Sequence, residues 1–285
     1  MRRILVIGAT GRIGREVVSR LGAAGVRVRA LARNPEAAAL GSDVEVVRGD
    51  LTRPGTLESC LDDTEAVFLV WAAPPAAVGP ALERITARAR RVVFLSSPHK
   101  TPHPFFQQPN PGRVLHAEIE RRIEGSGCAW TFLRPGMFAA NALAWWGPRI
   151  RAGADNVRWP FAAAPTAPID ERDVAAVAVR ALTEEGRDRA EYVLTGPDSL
   201  SQSEQVAIIG DAIGRPLRLV EIPPEEARTE LAALFPPVVM TMLFDAWAAA
   251  LGQPAYVTST VADVTGAPAR TFASWATDHA AAFRP

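Results

Sequence analysis

Gly8, Gly11 and Gly14 stand three residues apart between an apolar run and a helical one, and no other feature of the chain narrows its fold so far. Residues 4–7 read Ile-Leu-Val-Ile, the uninterrupted pattern of a parallel strand covered on both faces. Residues 13–21 then place apolar side chains at helical spacing. In such a strand–turn–helix unit each glycine has its own task. Gly8 turns the chain off the strand, Gly11 leaves bare backbone against a pyrophosphate, and Gly14 lets helix and strand pack closely. The anion is met by free N–H groups at the helix start, where the helix dipole favours negative charge. Thr10, Arg12 and Ile13 fill the turn and are expected to touch the same dinucleotide.

The unit repeats. Apolar strands are predicted at residues 26–32, 44–47, 66–71, 91–96 and 130–133, with helical stretches at 56–61, 77–90 and 116–125 between them. Alternation of this kind implies right-handed crossovers and an α/β fold, a Rossmann doubly wound parallel sheet. The nucleotide-binding domain is expected to span residues 1–136. Residues 137–285 are expected to form a smaller, mixed α/β C-terminal substrate lobe packed on that sheet. It holds helices at 171–182, 201–213 and 224–251 and strands at 191–194 and 217–222. Ser201 with Glu204 three residues on is a capping-box signature.

The end of the second strand bears on the choice of cofactor. An NAD site usually offers a carboxylate there to the ribose hydroxyls. This chain has Arg29-Ala-Leu-Ala-Arg33-Asn34, and Arg33 with Arg12 suits a fork around a 2′-phosphate. NADP(H) is therefore expected over NAD(H), with Glu36 close enough to keep NAD in view. Asp50, with Leu51 beside it, is placed either to accept from an adenine amino group or to cap the next helix. Val70, Trp71 and Ser96 close two strands at the carboxyl edge, where ligands collect in open sheets.

Composition excludes several other classes. The 31 basic and 31 acidic residues balance, so no basic face for nucleic acid is advertised. The apolar tracts are broken by Pro74, Pro75, Pro80 or Asp245, so no membrane span is expected, and the apolar run after Met1-Arg2-Arg3 is too short for a signal peptide. Cys60 and Cys128 have neither CxxC spacing nor a partnering histidine pattern. They are expected to be free thiols in a reducing cytoplasm, and no metal site is expected.

The GATGRIG turn, Arg33-Asn34-Pro35, Gly49-Asp50-Leu51, Ser96-Ser97 and Leu133-Arg134-Pro135-Gly136 resemble the NmrA-like branch of atypical short-chain dehydrogenases. The likeness continues through Ile169-Asp170-Glu171-Arg172-Asp173-Val174 and Val264-Thr265-Gly266-Ala267-Pro268, similar to bacterial NAD(P)H-binding proteins of the ergot-alkaloid-biosynthesis-like type. The resemblance implies the fold and the cofactor more strongly than any reaction, since such relatives include reductases, isomerases and redox sensors.

The usual short-chain dehydrogenase catalyst, a Tyr four residues before a Lys, is missing: the tyrosines are Tyr192 and Tyr256, and Lys100 is the only lysine. His116 is the candidate acid, expected at the start of the helix before the sixth strand, with His99 and His103 as alternatives. Phe138, Asn141 and Trp145 are candidate substrate contacts in an aromatic stretch suited to a bulky, apolar or aromatic metabolite. The expected activity is NADPH-dependent reduction of a C=C, C=N or quinone-like group. Alternatives are a non-catalytic NAD(P) sensor of NmrA type and an isomerase or cyclase that retains its cofactor. Oligomeric state is not legible in the sequence.

Overall fold

The computed structural model describes residues 3–285. Met1 and Arg2, assigned above to the first domain, lie outside the described residues. The first half of the chain builds β1 (Arg3–Ile7), α1 (Arg12–Ala23), β2 (Arg27–Ala32), β3 (Glu45–Arg48), α2 (Glu58–Leu61) and β4 (Ala66–Val70). It continues through α3 (Val78–Arg88), β5 (Arg91–Leu95), α4 (Pro104–Gln107), α5 (Pro111–Gly125) and β6 (Ala129–Pro135). Ile4 to Ile7 are all essentially buried, as their unbroken apolar run requires. α1 turns Ile13, Val17, Val18 and Leu21 onto the sheet, an i, i+4, i+5, i+8 stripe.

After β6 come α6 (Asn141–Trp145), α7 (Gly147–Arg151), β7 (Asn156–Trp159), β8 (Pro165–Thr166), α8 (Glu171–Thr183) and β9 (Ala190–Leu194). The main sheet runs β3-β2-β1-β4-β5-β6-β9, and every neighbouring pair is parallel. Its order reverses between β1 and β4, the switch point where open α/β sheets hold ligands. The seventh strand crosses the sequence-based division at 136. β9 pairs with β6, Thr131 opposite Ala190 through Pro135 opposite Leu194, and α8 packs against α1. Residues 137–285 therefore complete the Rossmann layer as well as forming a lobe of their own.

That lobe also contains β10 (Leu200–Ser201), α9 (Gln202–Ile213), β11 (Arg218–Glu221), α10 (Pro224–Glu230), α11 (Pro237–Ala250), α12 (Thr260–Thr265) and α13 (Phe272–Asp278). The capping box forms as the sequence suggests: Ser201 Oγ accepts from Glu204 N–H, and the Glu204 carboxylate accepts from Ser201 N–H at 2.7 Å. A second core gathers Trp146, Trp159, Trp247, Phe272 and Trp275. Fully buried Trp159 donates its indole N–H to Gln202 Oε1 at 2.8 Å, which ties β7 to α9. Trp159→Ala is expected to lower the unfolding free energy by about 3–5 kcal/mol, the usual cost of emptying a buried aromatic site. Urea denaturation tests this, and a loss below about 1 kcal/mol would contradict the assigned packing.

Candidate functional site

The glycine turn has the geometry its spacing demands. Gly8 sits at φ +86° and its carbonyl accepts from Gly11 N–H at 3.0 Å. A Cβ on Gly14 would lie 2.1 Å from Gly8 O, and one on Gly8 would lie 2.7 Å from Val70 Cβ. Those two glycines bring helix and strands together. A Cβ on Gly11 meets only Gly8 O, at 3.4 Å, so that glycine is not needed for packing. Gly11 is also the N-cap of α1 and supplies no side-chain cap, and no acidic residue stands in the first turn. The orphan N–H groups of α1 are thus left for a ligand. They open on a groove of about 300 Å³ lined by Gly8, Gly11, Arg12, Val70, Phe138 and Asn141. Ile13 and Gly14 lie on its floor side, and Glu171 borders it, its carboxyl pushed up by burial with Arg12 acting in the opposite sense. A bare, uncapped helix start beside an elongated groove fits a dinucleotide pyrophosphate.

The remaining expected cofactor residues are distributed unevenly. Thr10 is exposed in the turn, where its carbonyl accepts from Arg15 Nε at 3.0 Å. Arg15 also donates to Ala38 O and Ala39 O, stapling α1 to the segment after β2, a role the sequence did not signal. The Arg12–Arg33 fork is not formed, because Arg12 donates to Ala140 O at 3.2 Å. Arg33 and Asn34 are exposed beyond β2. There Arg48 donates to Arg33 O and pairs with Glu36 at 3.1 Å, so the nearest carboxylate already has a partner. Asp50 caps no helix: its carboxylate accepts from Thr52 N–H and Oγ–H, both at 2.8 Å, closing the turn after β3, and those bonds lower its pKa. Leu51 is a core residue, and Trp71 donates its indole N–H to Ala73 O instead of lining the groove.

Phe138 also forms part of the wall of a second space, a cavity of about 260 Å³. Its apolar side comes from Met137, Phe138 and the α11 residues Met242, Leu243 and Ala246. Its polar side comes from Ser96, Ser97, His99, Arg113 and His116. The Oγ of Ser97 and Nδ1 of His116 are shielded from solvent without a hydrogen-bond partner, and the buried Ser96 hydroxyl is turned to Glu120. His116 lies well inside α5 and not at its start, which is Pro111 with Asn110 as N-cap, and Phe94 meets its ring edge-on at 5.6 Å. Burial pushes the His116 pKa below the ordinary histidine value, the charge of His99 adds to that, and Glu120 opposes it. The imidazole is therefore neutral near pH 7.

Trp145 is not at this site: it packs among Trp159, Trp247 and Phe235, with ring centroids 5.6–6.2 Å away. Asn141 borders the groove and not the cavity. His103 Nε2 is bonded to Pro254 O at 3.0 Å and is likewise outside the cavity wall.

Behind the polar wall lies a charge cluster that sequence reasoning missed. Arg134 of β6 donates from Nε and Nη2 to both oxygens of Glu120, at 2.9 and 2.6 Å, and also bonds Glu191. Lys100 reaches the other oxygen of Glu191 at 2.8 Å. His99 Nε2 stands 3.2 Å from Glu120 and Nδ1 3.0 Å from Ser97 O. Burial pushes the Glu120 pKa up, but hydrogen bonds from His99 and Arg134 outweigh it and hold the carboxyl at about 2. The only prior signal was a charged residue, Arg134, inside an apolar strand. Among the described residues no cluster could hold a metal ion, and no helix is long and apolar enough to cross a membrane.

A Rossmann switch point, an uncapped glycine-flanked helix and an adjoining cavity define a dinucleotide-binding protein with room for a second ligand. Comparison with known proteins narrows the class. A family model described as NAD(P)H-binding matches residues 8–185. The (4-alkanoyl-5-oxo-2,5-dihydrofuran-3-yl)methyl phosphate reductase of Streptomyces griseus is 41% identical over 292 residues, covering 99% of each chain. The NAD(P)H azoreductase of Xenophilus azovorans is 38% identical, covering 98% of this chain and 99% of its own. Among solved structures, the triphenylmethane reductase of Citrobacter sp. complexed with NADP(H) shares the fold with a TM-score of 0.82 at 18% identity, covering 98% of this chain and 99% of that one. The chain belongs to the NAD(P)H-binding family.

Two tests follow from this geometry. Gly11→Val is expected to abolish NADPH binding in a fluorescence titration while leaving the thermal midpoint near the parent's, since its Cβ has space in the fold and only a pyrophosphate would collide with it. Unchanged affinity would remove the pyrophosphate from this turn. The Glu120 pKa is lowered on folding, so its stabilising contribution is complete above 4.5 and is lost as pH falls towards about 2. The stability gap between the parent and Glu120→Gln should therefore narrow between about pH 5 and pH 3 in urea titrations; a constant gap would contradict the ion-pair assignment.

Proposed function

We propose that the chain is an NADPH-dependent reductase that transfers hydride to a conjugated C=C, C=N or quinone-like group held in the cavity beside the glycine groove. The observation that carries this reading is Phe138, whose side chain walls both spaces, so a cofactor along the groove and an acceptor in the cavity become neighbours. Two of the relatives are reductases, and the acceptor of the Streptomyces protein contains a ring C=C conjugated to carbonyl groups. NADPH supplies the hydride when bound. The chain's own residues do the rest.

Met137, Phe138 and Leu243 keep water from the acceptor and strengthen every polar contact made there. As hydride adds to the acceptor, an electron pair moves onto its oxygen or nitrogen, which needs a proton. The imidazolium form of His116, a minority near pH 7, supplies that proton, is left as the neutral imidazole in the cavity wall, and regains a proton from solvent. No Tyr-x-x-x-Lys pair is required, and Lys100 is committed to Glu191. Preference for NADPH follows from Arg33 at the end of β2, free to meet a 2′-phosphate, and from Glu36, engaged by Arg48 and so withheld from ribose hydroxyls. We place the reaction in the cytoplasm, where free Cys60 and Cys128 stay reduced.

NADPH oxidation measured against quinones, enones and cyclic imines tests the reading, and no turnover across the panel would overturn it. His116→Ala is expected to lower kcat about a hundredfold with cofactor affinity unchanged. For an iminium acceptor, which needs hydride alone, the same variant is expected to keep nearly full activity. Arg33→Ala should remove most of the preference for NADPH over NADH and leave NADH binding near the parent value; equal parent affinities for the two cofactors would reject the 2′-phosphate assignment.

A further inference from the structure

The cavity wall contains one guanidinium and two imidazoles and no carboxylate. His99 is compensated from behind by Glu120 at 3.2 Å. Arg113 is not compensated. It is half-buried, donates from Nη1 to Phe106 O at 3.1 Å, and has no carboxylate partner among the described residues. Of the other arginines drawn into the protein, Arg29, Arg91, Arg134 and Arg172 each hold a carboxylate, whereas half-buried Arg228 lies over the Phe244 ring and donates to Thr241. Withdrawing a cation from water without a counter-charge is costly, so an arrangement of this kind is completed by an anion.

Arg113 also lies in the first turn of α5, a fifteen-residue helix with no acidic residue in that turn, whose N-cap Asn110 borders the same cavity. The positive end of its dipole adds to the field. Independently of the helix, the Ser97 hydroxyl is shielded without a hydrogen-bond partner, while Ser96, 5% exposed, is turned to Glu120. A neutral carbonyl would satisfy that one hydroxyl and leave the guanidinium unanswered, whereas an anionic oxygen group answers both.

We propose that the acceptor bound in this cavity carries an anionic oxygen group, a phosphate ester or a carboxylate, held by Arg113 with the hydroxyl of Ser97, while its unsaturated part lies against Phe138 and its apolar arm against Met242, Leu243 and Ala246. The proposal rests on the reductase reading for the word acceptor, but the anion site stands on its own chemistry and is tested by binding.

Phenyl phosphate, benzoate and benzyl alcohol are titrated calorimetrically into protein saturated with NADP⁺, which occupies the phosphate-binding start of α1. An anionic probe is expected to bind at least about tenfold more tightly than the alcohol, and Arg113→Gln to erase that advantage without changing NADP⁺ affinity. Tighter binding of phenyl phosphate assigns the group as a phosphate ester, and of benzoate as a carboxylate. Arg113→Lys, which keeps the charge, is expected to fall between parent and Gln. A Lys variant as weak as Gln would trace the loss to the bond with Phe106 O and overturn the proposal, as would equal binding of an anionic probe by parent and Arg113→Gln, or no binding of either anion. Because the readout is heat of binding, a protein that oxidises no NADPH with any acceptor still gives a decisive answer here.

Discussion

Arg134 is a guanidinium only 2% exposed on the strand next to the edge of a parallel sheet, and neutralising it organises everything around the cavity. Removing an ion from water costs several kcal/mol, recovered only with well-made hydrogen bonds. Glu120 answers from α5 with both oxygens and Glu191 answers from β9, so a helix on one face and the edge strand are drawn to the same residue. The second oxygen of Glu191 fixes Lys100, and Glu120 fixes His99, so the loop after β5 is held at two points. The rotation of α5 that satisfies Glu120 is also the rotation that turns His116, one helical turn earlier, towards Phe94 and the cavity. A cluster that contributes little net stability can still set the position of every polar group on the cavity wall.

Much of the sheet was legible because β4 and most of β1 and β5 are unbroken apolar runs, and the glycine turn was legible because three constraints on one short segment leave little else to put there. What could not be read depends on partners far apart in sequence. Residues 191–194 scan as a strand, but their place beside β6 is set by a pairing across some sixty residues of intervening chain. The Glu120–Arg134 pair has no spacing that advertises it. The misplaced start of α5 is a different case: Asn110 followed by Pro111 is a readable cap with proline at the first helical position, hidden among the prolines of the loop before it. Trp145 illustrates the opposite error. An aromatic side chain at helical spacing is most often core, and its neighbours here are other tryptophans.

The same reasoning separates the two histidines of the cavity wall. His99 has both ring nitrogens committed, to a carbonyl and to a carboxylate, and so is a fixed part of the wall. His116 has Nδ1 uncommitted, burial that disfavours its charged form, and a neighbouring positive charge that disfavours it further. A nitrogen without a partner in a sealed space is a cost that a bound molecule can remove. Polar groups satisfied within the protein hold the shape, and the unsatisfied ones are left for whatever enters.

The two walls of the cavity come from parts of the chain with different obligations. The polar wall is built by strand ends, α5 and a loop tied into the charge cluster, where a substitution disturbs the sheet. The apolar wall is shared by Phe105 and Phe106 of α4, Met137, Phe138 and three residues of α11, Met242, Leu243 and Ala246, on a helix that also packs into the lobe's own tryptophan core. Exchanges at those three positions can enlarge, shorten or reshape the space for an acceptor's tail without moving a single group that handles charge. One helix face can thus drift through a series of differently shaped molecules over evolutionary time, while the edge of the sheet goes on presenting the same reactive geometry to each of them.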